Sequence, residues 1–345
     1  MLGSIYCKMT GTTIDKFQII DHLGNGFFGH VFLCYDPFLQ KEIAVKVIKV
    51  PDPDKFVNAV KEGQTLDLCR HKHIVDVKDV RATLYNAEPV VIIVMEYLSK
   101  GSIQKHIEKR FISVKEAGKI IQQSLLGLEQ AHNNNVLHRD VKPGNIMFGD
   151  NGEAKLSDFG LAINYHSDPS DVLGYRPHQP LEVIEGNPMD KLSDIYATGI
   201  TFYRLLNNTN KLPFTFTTKE EWLKAVKKDQ FPPRQFLPHI PDKVLKILNK
   251  SIHKTKMTRF QTCIEFRQAL EKLNFNIDWV YLDNDNWTGH NNGDTFTLNK
   301  YKKRTGWVID FKKNGIRRNE HCFTNLPDDK VEKEFLKIIK DTNLF

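Results

Sequence analysis

No stretch of this 345-residue chain approaches the roughly 18 consecutive apolar residues that a membrane-spanning helix needs. The run VVIIVMEYL at 90–98 is long enough only for a buried strand. The opening MLGSIYCKMT lacks the apolar segment of a signal peptide, so the expectation is a cytoplasmic protein without membrane contact. Cysteine is sparse: five residues at 7, 34, 69, 263 and 322, odd in number and scattered. That excludes a disulfide scaffold and a CxxC metal site, and leaves reduced thiols. A large excess of one charge is also missing, since the net +7 accommodates a phosphorylated or acidic ligand without requiring one. What remains, 40% apolar and 26% charged residues, is the composition of a globular protein with room for two or three domains.

The first patterned stretch is FQIIDHLGNGFFGHVFLCYD at 17–36, which reads as two strands around the turn Gly24-Asn25-Gly26-Phe27-Phe28-Gly29. Glycines let a backbone come close to a phosphate, although many hairpins carry them for turn geometry alone. A third strand, EIAVKVIKV at 42–50, sets Lys46 among apolar neighbours, where an ammonium costs desolvation unless an anion meets it. The segment at 54–71 has helical spacing and offers Glu62 as that anion. The strand at 90–98 then leaves into a polar linker, Leu98 to Ser102. A helix follows, opened by a capping box, Ser113-x-x-Glu116, and closed at Asn133-Asn134-Asn135. Directly after it stands HRDVKPGN at 138–145, then a hairpin around Asp150-Asn151-Gly152 that delivers Asp158-Phe159-Gly160.

In order and spacing together, GNGFFGHV, IAVK, Glu62, HRDVKPGN and DFG resemble the eukaryotic-type (Hanks-type) serine/threonine protein kinases over residues 17 to 273, and the wording of RFQTCIEFRQAL looks closest to bacterial members. The resemblance implies an α+β, bilobal protein kinase fold with a β-rich N-lobe to about residue 96 and a helical C-lobe over about 99–274. It further implies ATP and Mg2+, or Mn2+, as cofactors. Gly24 to Gly29 would cover the phosphates, and Val31, Ala44, Met95, Glu96 and Leu98 would line the nucleotide site. Lys46, held by Glu62, would contact the α and β phosphates. Asp158 and Asn145 would hold metal. Asp140 would accept the proton of the substrate hydroxyl, and Lys142 would steady the γ-phosphoryl group. Phosphoryl transfer is largely position and charge, which is why one loop crowds a base, a cation and a metal ligand together. His138 looks structural. Arg139 would either receive an activation-loop phosphate or form a simple salt bridge. Lys142 in HRDxKPxN resembles the serine/threonine-specific subgroup.

The pattern weakens over 164–186, which has no Ala-Pro-Glu. Glu182 lies twelve residues before Asp194, the family's spacing, and in that register Tyr175 stands where the family has a threonine that touches the catalytic lysine and aspartate. A second register, with an insertion, puts Val172 there instead. Ser167 and Ser170 are the candidate phosphosites, with Tyr165 behind them. Asp194 would hold the catalytic-loop backbone, and Arg259 would pair with Glu182.

Residues 1–12 read as an N-terminal extension, 13–274 as the kinase domain, and 275–345 as a small β-rich accessory domain with a terminal helix. Asn314-Gly315 is expected to turn its last two strands, and Val331, Phe335, Ile338 and Ile339 to form the helix's apolar face. Between 300 and 318, Lys300, Lys302, Lys303, Arg304, Lys312, Lys313, Arg317 and Arg318 face only Asp310 in sequence, interleaved with Tyr301, Trp307 and Phe311. Nucleic-acid binders use that composition, and a solvated hairpin explains it as well. The expectation is an active serine/threonine kinase, autophosphorylating and regulatory, with a role in bacterial stress or phage response. Its partners would be protein substrates, an intracellular activator and, transiently, a second copy of itself. The alternatives are a pseudokinase scaffold and a nucleic-acid-binding regulator.

Overall fold

The computed structural model describes residues 11–25, 29–50, 53–159, 163–164 and 175–345. The chain divides into two compact units, the first formed by Met1–Ile103, Gln123–Gln179 and Gly186–Asp194, the second by Gln104–Gln122, Pro180–Glu185 and Ile195–Phe345. No helix of the described residues is long and apolar enough to cross a membrane.

In the first unit, strands β1 (Thr13–Ile14), β2 (Phe17–Asn25), β3 (His30–Asp36), β4 (Lys41–Lys49), β5 (Val77–Tyr85) and β6 (Glu88–Glu96) form one antiparallel sheet in the order β1-β2-β3-β4-β6-β5. Alternation along the strands builds its core: Phe17, Ile19, Phe32, Cys34, Ile43, Val45, Val47, Val90, Ile92 and Val94 pack together on one face. Strand β4 is buried on both faces, so its alternate residues Ala44, Lys46 and Ile48 are enclosed as well. Helix α1 (Pro53–Leu68) lies against β5 and β6. Gly63 permits that approach, because a Cβ there would stand 2.3 Å from a Val80 methyl on β5.

After helix α2 (Ile103–Lys109), the long helix α3 (Val114–Asn133) follows. Its start differs from the expected capping box. Ser113 Oγ accepts the Glu116 amide at 3.0 Å, but the Glu116 carboxylate grips the Arg110 guanidinium at 2.5 and 2.7 Å instead of returning to the cap. A two-pronged bond to a full charge is worth more than a neutral backbone N–H, so Arg110 wins. Beyond α3 come β7 (Val136–Leu137), a 3-10 turn at Pro143–Asn145, the hairpin β8 (Ile146–Phe148) and β9 (Ala154–Leu156), and β10 (Ile163–Asn164), which pairs with β7. Gly127 lets α3 sit against the chain at His73, where a Cβ would meet a backbone oxygen at 2.5 Å.

Helices α4 (Leu181–Ile184), α5 (Lys191–Leu206), α6 (Lys219–Lys227), α7 (Asp242–Ser251) and α8 (Cys263–Glu271) follow. In the second unit, strands β11 (Asp278–Asp283), β12 (Asn286–Asn291), β13 (Asp294–Lys303), β14 (Gly306–Lys313) and β15 (Ile316–Arg317) then make an antiparallel meander. Asn314 and Gly315, at φ 50° and 78°, turn β14 into β15. They do not join the last two strands: the chain breaks into a 3-10 turn at Asn319–His321 and returns as β16 (Phe323–Leu326), also paired with β14. The run Arg317 to Glu320 carries no apolar residue for the sheet to bury, so the strand cannot continue through it. Helix α9 (Asp328–Asn343) lays Val331, Phe335, Ile338 and Ile339 on Trp279, Leu298, Ile309 and Phe311, as its spacing predicts.

This sheet and α9 are joined to other segments of the same unit. Trp287 meets the edge of Phe111 at 5.3 Å and the ring of His239 at 5.0 Å, and Lys340 pairs with Asp242 at 2.8 Å.

Candidate active site

The first cluster of the site is carried by β4, α1 and the end of the β8–β9 hairpin. Lys46, only 3% exposed, donates to Glu62 at 2.5 Å and to Asp158 at 2.9 Å. Burial alone would discharge this lysine, but the carboxylates of Asp158 and Glu62 outweigh it and hold its pKa above the ordinary value. Burial likewise raises Asp158, and the Lys46 ammonium overcomes it, leaving the carboxyl below the ordinary range and ionised. Asp158 takes a left-handed backbone at φ 58°. The next residue, Phe159, is fully buried with its ring 4.6 Å from His138.

The second cluster lies in the loop at 138–145. Lys142 donates to Asp140 Oδ2 at 2.6 Å, and Asn145 Nδ2 donates to the same oxygen at 2.9 Å and to the Asp140 carbonyl at 2.9 Å. With its amide nitrogen so engaged, Asn145 offers its carbonyl oxygen as the remaining polar atom. Asp140 Oδ1 accepts the backbone amide of Tyr175 at 3.0 Å. Asp194, 2% exposed, holds the loop from beneath: its two oxygens accept the amides of His138 at 2.9 Å and Arg139 at 2.8 Å, and His132 Nε2 lies 2.9 Å away. Burial raises Asp194, but the bond and charge of His132 prevail and hold it ionised. Arg139 is buried with φ 66°, a conformation that these two amide bonds impose on a residue that does not favour it.

Along the sheet, Ala44 pairs with Met95 and Val31 with Lys46, so these residues share neighbouring strand positions. Ala44, Met95 and Leu98 are buried. The side chain of Glu96 is held by Lys155 at 2.7 and 2.9 Å and accepts the Asp76 amide. Gly24, Asn25 and Gly29 flank the turn between β2 and β3, where Asn25 Oδ1 meets His30 Nδ1 at 2.8 Å. Gly26, Phe27 and Phe28 lie outside the described residues, as do Gly160, Tyr165, Ser167, Ser170, Val172 and Gly174.

In the second unit Arg259, 1% exposed, takes the Glu182 carboxylate in two bonds of 2.6 and 2.8 Å and donates to the His253 carbonyl at 2.6 Å. Several cations of the basic stretch at 300–318 are paired with acids, while Lys303, Arg304 and Arg318 are exposed. Lys300 is buried against Glu332, Lys302 pairs with Asp328, Lys313 with Asp294, and Lys312 and Arg317 with Asp310. Phe311 is 3% exposed in the core, and the Trp307 indole donates to Asp328 at 2.6 Å. Those partners come mainly from β13 and α9, so the local count of a single acid understates the neutralisation.

Three contributors were not singled out from the sequence. His132 fixes Asp194, and Lys155 fixes Glu96. His178 Nδ1, 2.9 Å from the Val141 carbonyl, ties the segment after Tyr175 to the loop at 138–145. Nothing in a single sequence marks these residues, because each acts across 37 to 62 positions.

The donor set fits a nucleotide with a divalent cation: a buried ammonium, an ionised carboxylate and an amide oxygen, the last two being hard oxygen ligands. The family model for the protein kinase domain matches residues 17–273. Among curated proteins, the chain is similar to the serine/threonine-protein kinase PrkC of Bacillus subtilis, 29% identical over 76% of this chain and 41% of that protein. It is also similar to the serine/threonine-protein kinase PknB of Mycobacterium leprae, 29% identical over 75% of this chain and 43% of that protein. A probable serine/threonine-protein kinase PknB of Corynebacterium glutamicum is 29% identical over 78% of this chain and 44% of that protein. The chain therefore spans less than half the length of these relatives.

Proposed function

The chain belongs to the protein kinase family, and on that premise we propose that it transfers the γ-phosphate of ATP to serine and threonine hydroxyls of protein substrates. The observation that carries this reading is the joint assembly of Lys46 with Glu62 and Asp158, and of Asp140 with Lys142 and Asn145. A scaffold that never turned over would have no need to keep five ionisable side chains and an amide in such costly order.

In this mechanism the backbone from Gly24 to Gly29 and the Lys46 ammonium bind the α and β phosphates, while Val31, Ala44, Met95 and Leu98 enclose the base, with Glu96 beside them. Asp158 and Asn145 hold the divalent cation, Mg2+ or Mn2+, which when bound supplies positive charge to the phosphate oxygens. Asp140 orients the acceptor hydroxyl and takes its proton. The acceptor oxygen bonds to phosphorus as the bond from phosphorus to the ADP oxygen breaks, and Lys142 meets the charge on the phosphoryl oxygens. Residues 13–274 would be the kinase domain, 1–12 an extension, and 275–345 an accessory domain. Ser167 and Ser170 would be autophosphorylated in a transient pair of chains, in a regulatory role that answers an intracellular activator.

The test is incubation with γ-labelled ATP, Mg2+ and a generic basic protein, followed by acid hydrolysis and separation of phosphoamino acids. Label on phosphoserine or phosphothreonine is expected. Label on phosphotyrosine alone, or none in either protein, would overturn the proposal.

A further inference from the structure

In the ungapped register Tyr175 sits where the family has a threonine, and its surroundings give it more to do than fill space. Its amide holds Asp140 Oδ1 at 3.0 Å. Its ring stands 5.5 Å from the Lys142 ammonium, which is itself bonded to Asp140 at 2.6 Å. Behind it the ring meets His178 edge to face at 5.1 Å, and its carbonyl accepts the His178 amide at 2.8 Å. His178 in turn is buried and anchored to Val141, the residue between Asp140 and Lys142. The ring is thus clamped to the same loop that carries the base.

We infer that Tyr175 is the positioning residue for Lys142: its aromatic face, in place of a hydroxyl acceptor, keeps the ammonium directed toward the transferred phosphoryl group. The inference rests on the kinase reading and deepens it. A threonine hydroxyl would accept one directed hydrogen bond from the ammonium. An aromatic face attracts a cation through its quadrupole over a wider range of angles, so Lys142 can turn from Asp140 toward phosphate without losing its second support. The phenol hydroxyl has no part in this. Phenylalanine should serve, leucine of similar bulk should not, and the effect belongs to the chemical step and not to nucleotide binding.

The experiment compares the full chain with Tyr175→Phe, Tyr175→Leu and Tyr175→Ala, measuring kcat and KM for ATP, with thermal unfolding as a check on folding. The expected result is a loss in kcat of about tenfold for Tyr175→Leu and Tyr175→Ala, the order that a cation-π contact of this size supports. KM for ATP should stay within about twofold of wild type, and Tyr175→Phe should recover most of kcat. A Leu variant with wild-type kcat, or a Phe variant as impaired as the Ala variant, would overturn it. A second readout needs no activity: in lysine-labelled protein, the ε-methylene resonance of Lys142, assigned with Lys142→Arg, should show an upfield ring-current shift that Tyr175→Phe keeps and Tyr175→Leu removes. If the shift is missing in wild type, the positioning role fails even where transfer occurs. If it is present but wild type transfers nothing, the kinase reading fails and the contact stands.

Discussion

Replacing Asp194 by asparagine changes one atom and should release the catalytic loop. The carboxylate meets the His138 and Arg139 amides, one on each oxygen, and His132 as well, at 2.8 to 2.9 Å and with 2% exposure. Asparagine can present one oxygen, so its NH2 must face one of those two backbone N–H groups, from which it cannot accept a hydrogen bond. Loss of one bond to a charged acceptor costs about 1.5–3 kcal/mol, and a buried unmatched N–H about 1–3 kcal/mol more. The sum of about 2.5–6 kcal/mol spans the usual cost of about 3–5 kcal/mol for breaking a buried charged pair. All four tryptophans lie beyond residue 194, so fluorescence will not report this site. Amide hydrogen exchange over residues 132–145 will. The variant should exchange there roughly 60- to 20,000-fold faster than wild type, since each 1.4 kcal/mol is about tenfold. Because the folded pKa of Asp194 is depressed, its contribution is present above the ordinary carboxylate value. It is lost as pH falls through the folded pKa, which lies below the ordinary carboxylate value. A change in exchange of less than about threefold would refute the claim that this carboxylate holds the loop.

Two further outcomes concern the second unit. Glu182→Gln, which leaves Arg259 buried without its counter-charge, should cost about 3–5 kcal/mol in urea unfolding followed by tryptophan fluorescence, and a loss below about 1 kcal/mol would contradict the pairing. His239 is pushed down to about 4 by burial, against Phe111 and Trp287. The unfolded chain therefore binds a proton that the folded one refuses, and stability should decline from about pH 6.5 toward pH 4 by up to about 3 kcal/mol. His239→Phe should remove that part of the decline. An identical pH profile in both proteins would refute it.

Much of the site could be read from the chain because its signals are local. The glycine turn, the lysine on a strand and the helical spacing that offers Glu62 each lie within a dozen residues, and Lys46 and Glu62 meet as that spacing implies. Glu182 and Arg259 are 77 positions apart, yet pair as the family's spacing implied. Where the sequence left two registers open around Tyr175, the amide of Tyr175 meets Asp140, while Val172 lies outside the described residues. Other features were out of reach. The acids that neutralise Lys300 and Lys302 come from α9, the Glu116 carboxylate chose Arg110 over its cap, and the C-terminal sheet rests on Phe111 and His239. Each is a competition between partners distant in sequence, which periodicity and turn chemistry do not encode.

The central claim is that Asp140 is the base of a phosphoryl transfer, and the direct measurement is the rate of γ-phosphate transfer by Asp140→Asn beside wild type, with nucleotide affinity measured on both. The account predicts a fall in kcat of about 100- to 10,000-fold with ATP affinity unchanged within about twofold. Transfer by the variant within about tenfold of wild type would contradict it, because among the described residues Asp140 is the carboxylate hydrogen-bonded to both Lys142 and Asn145.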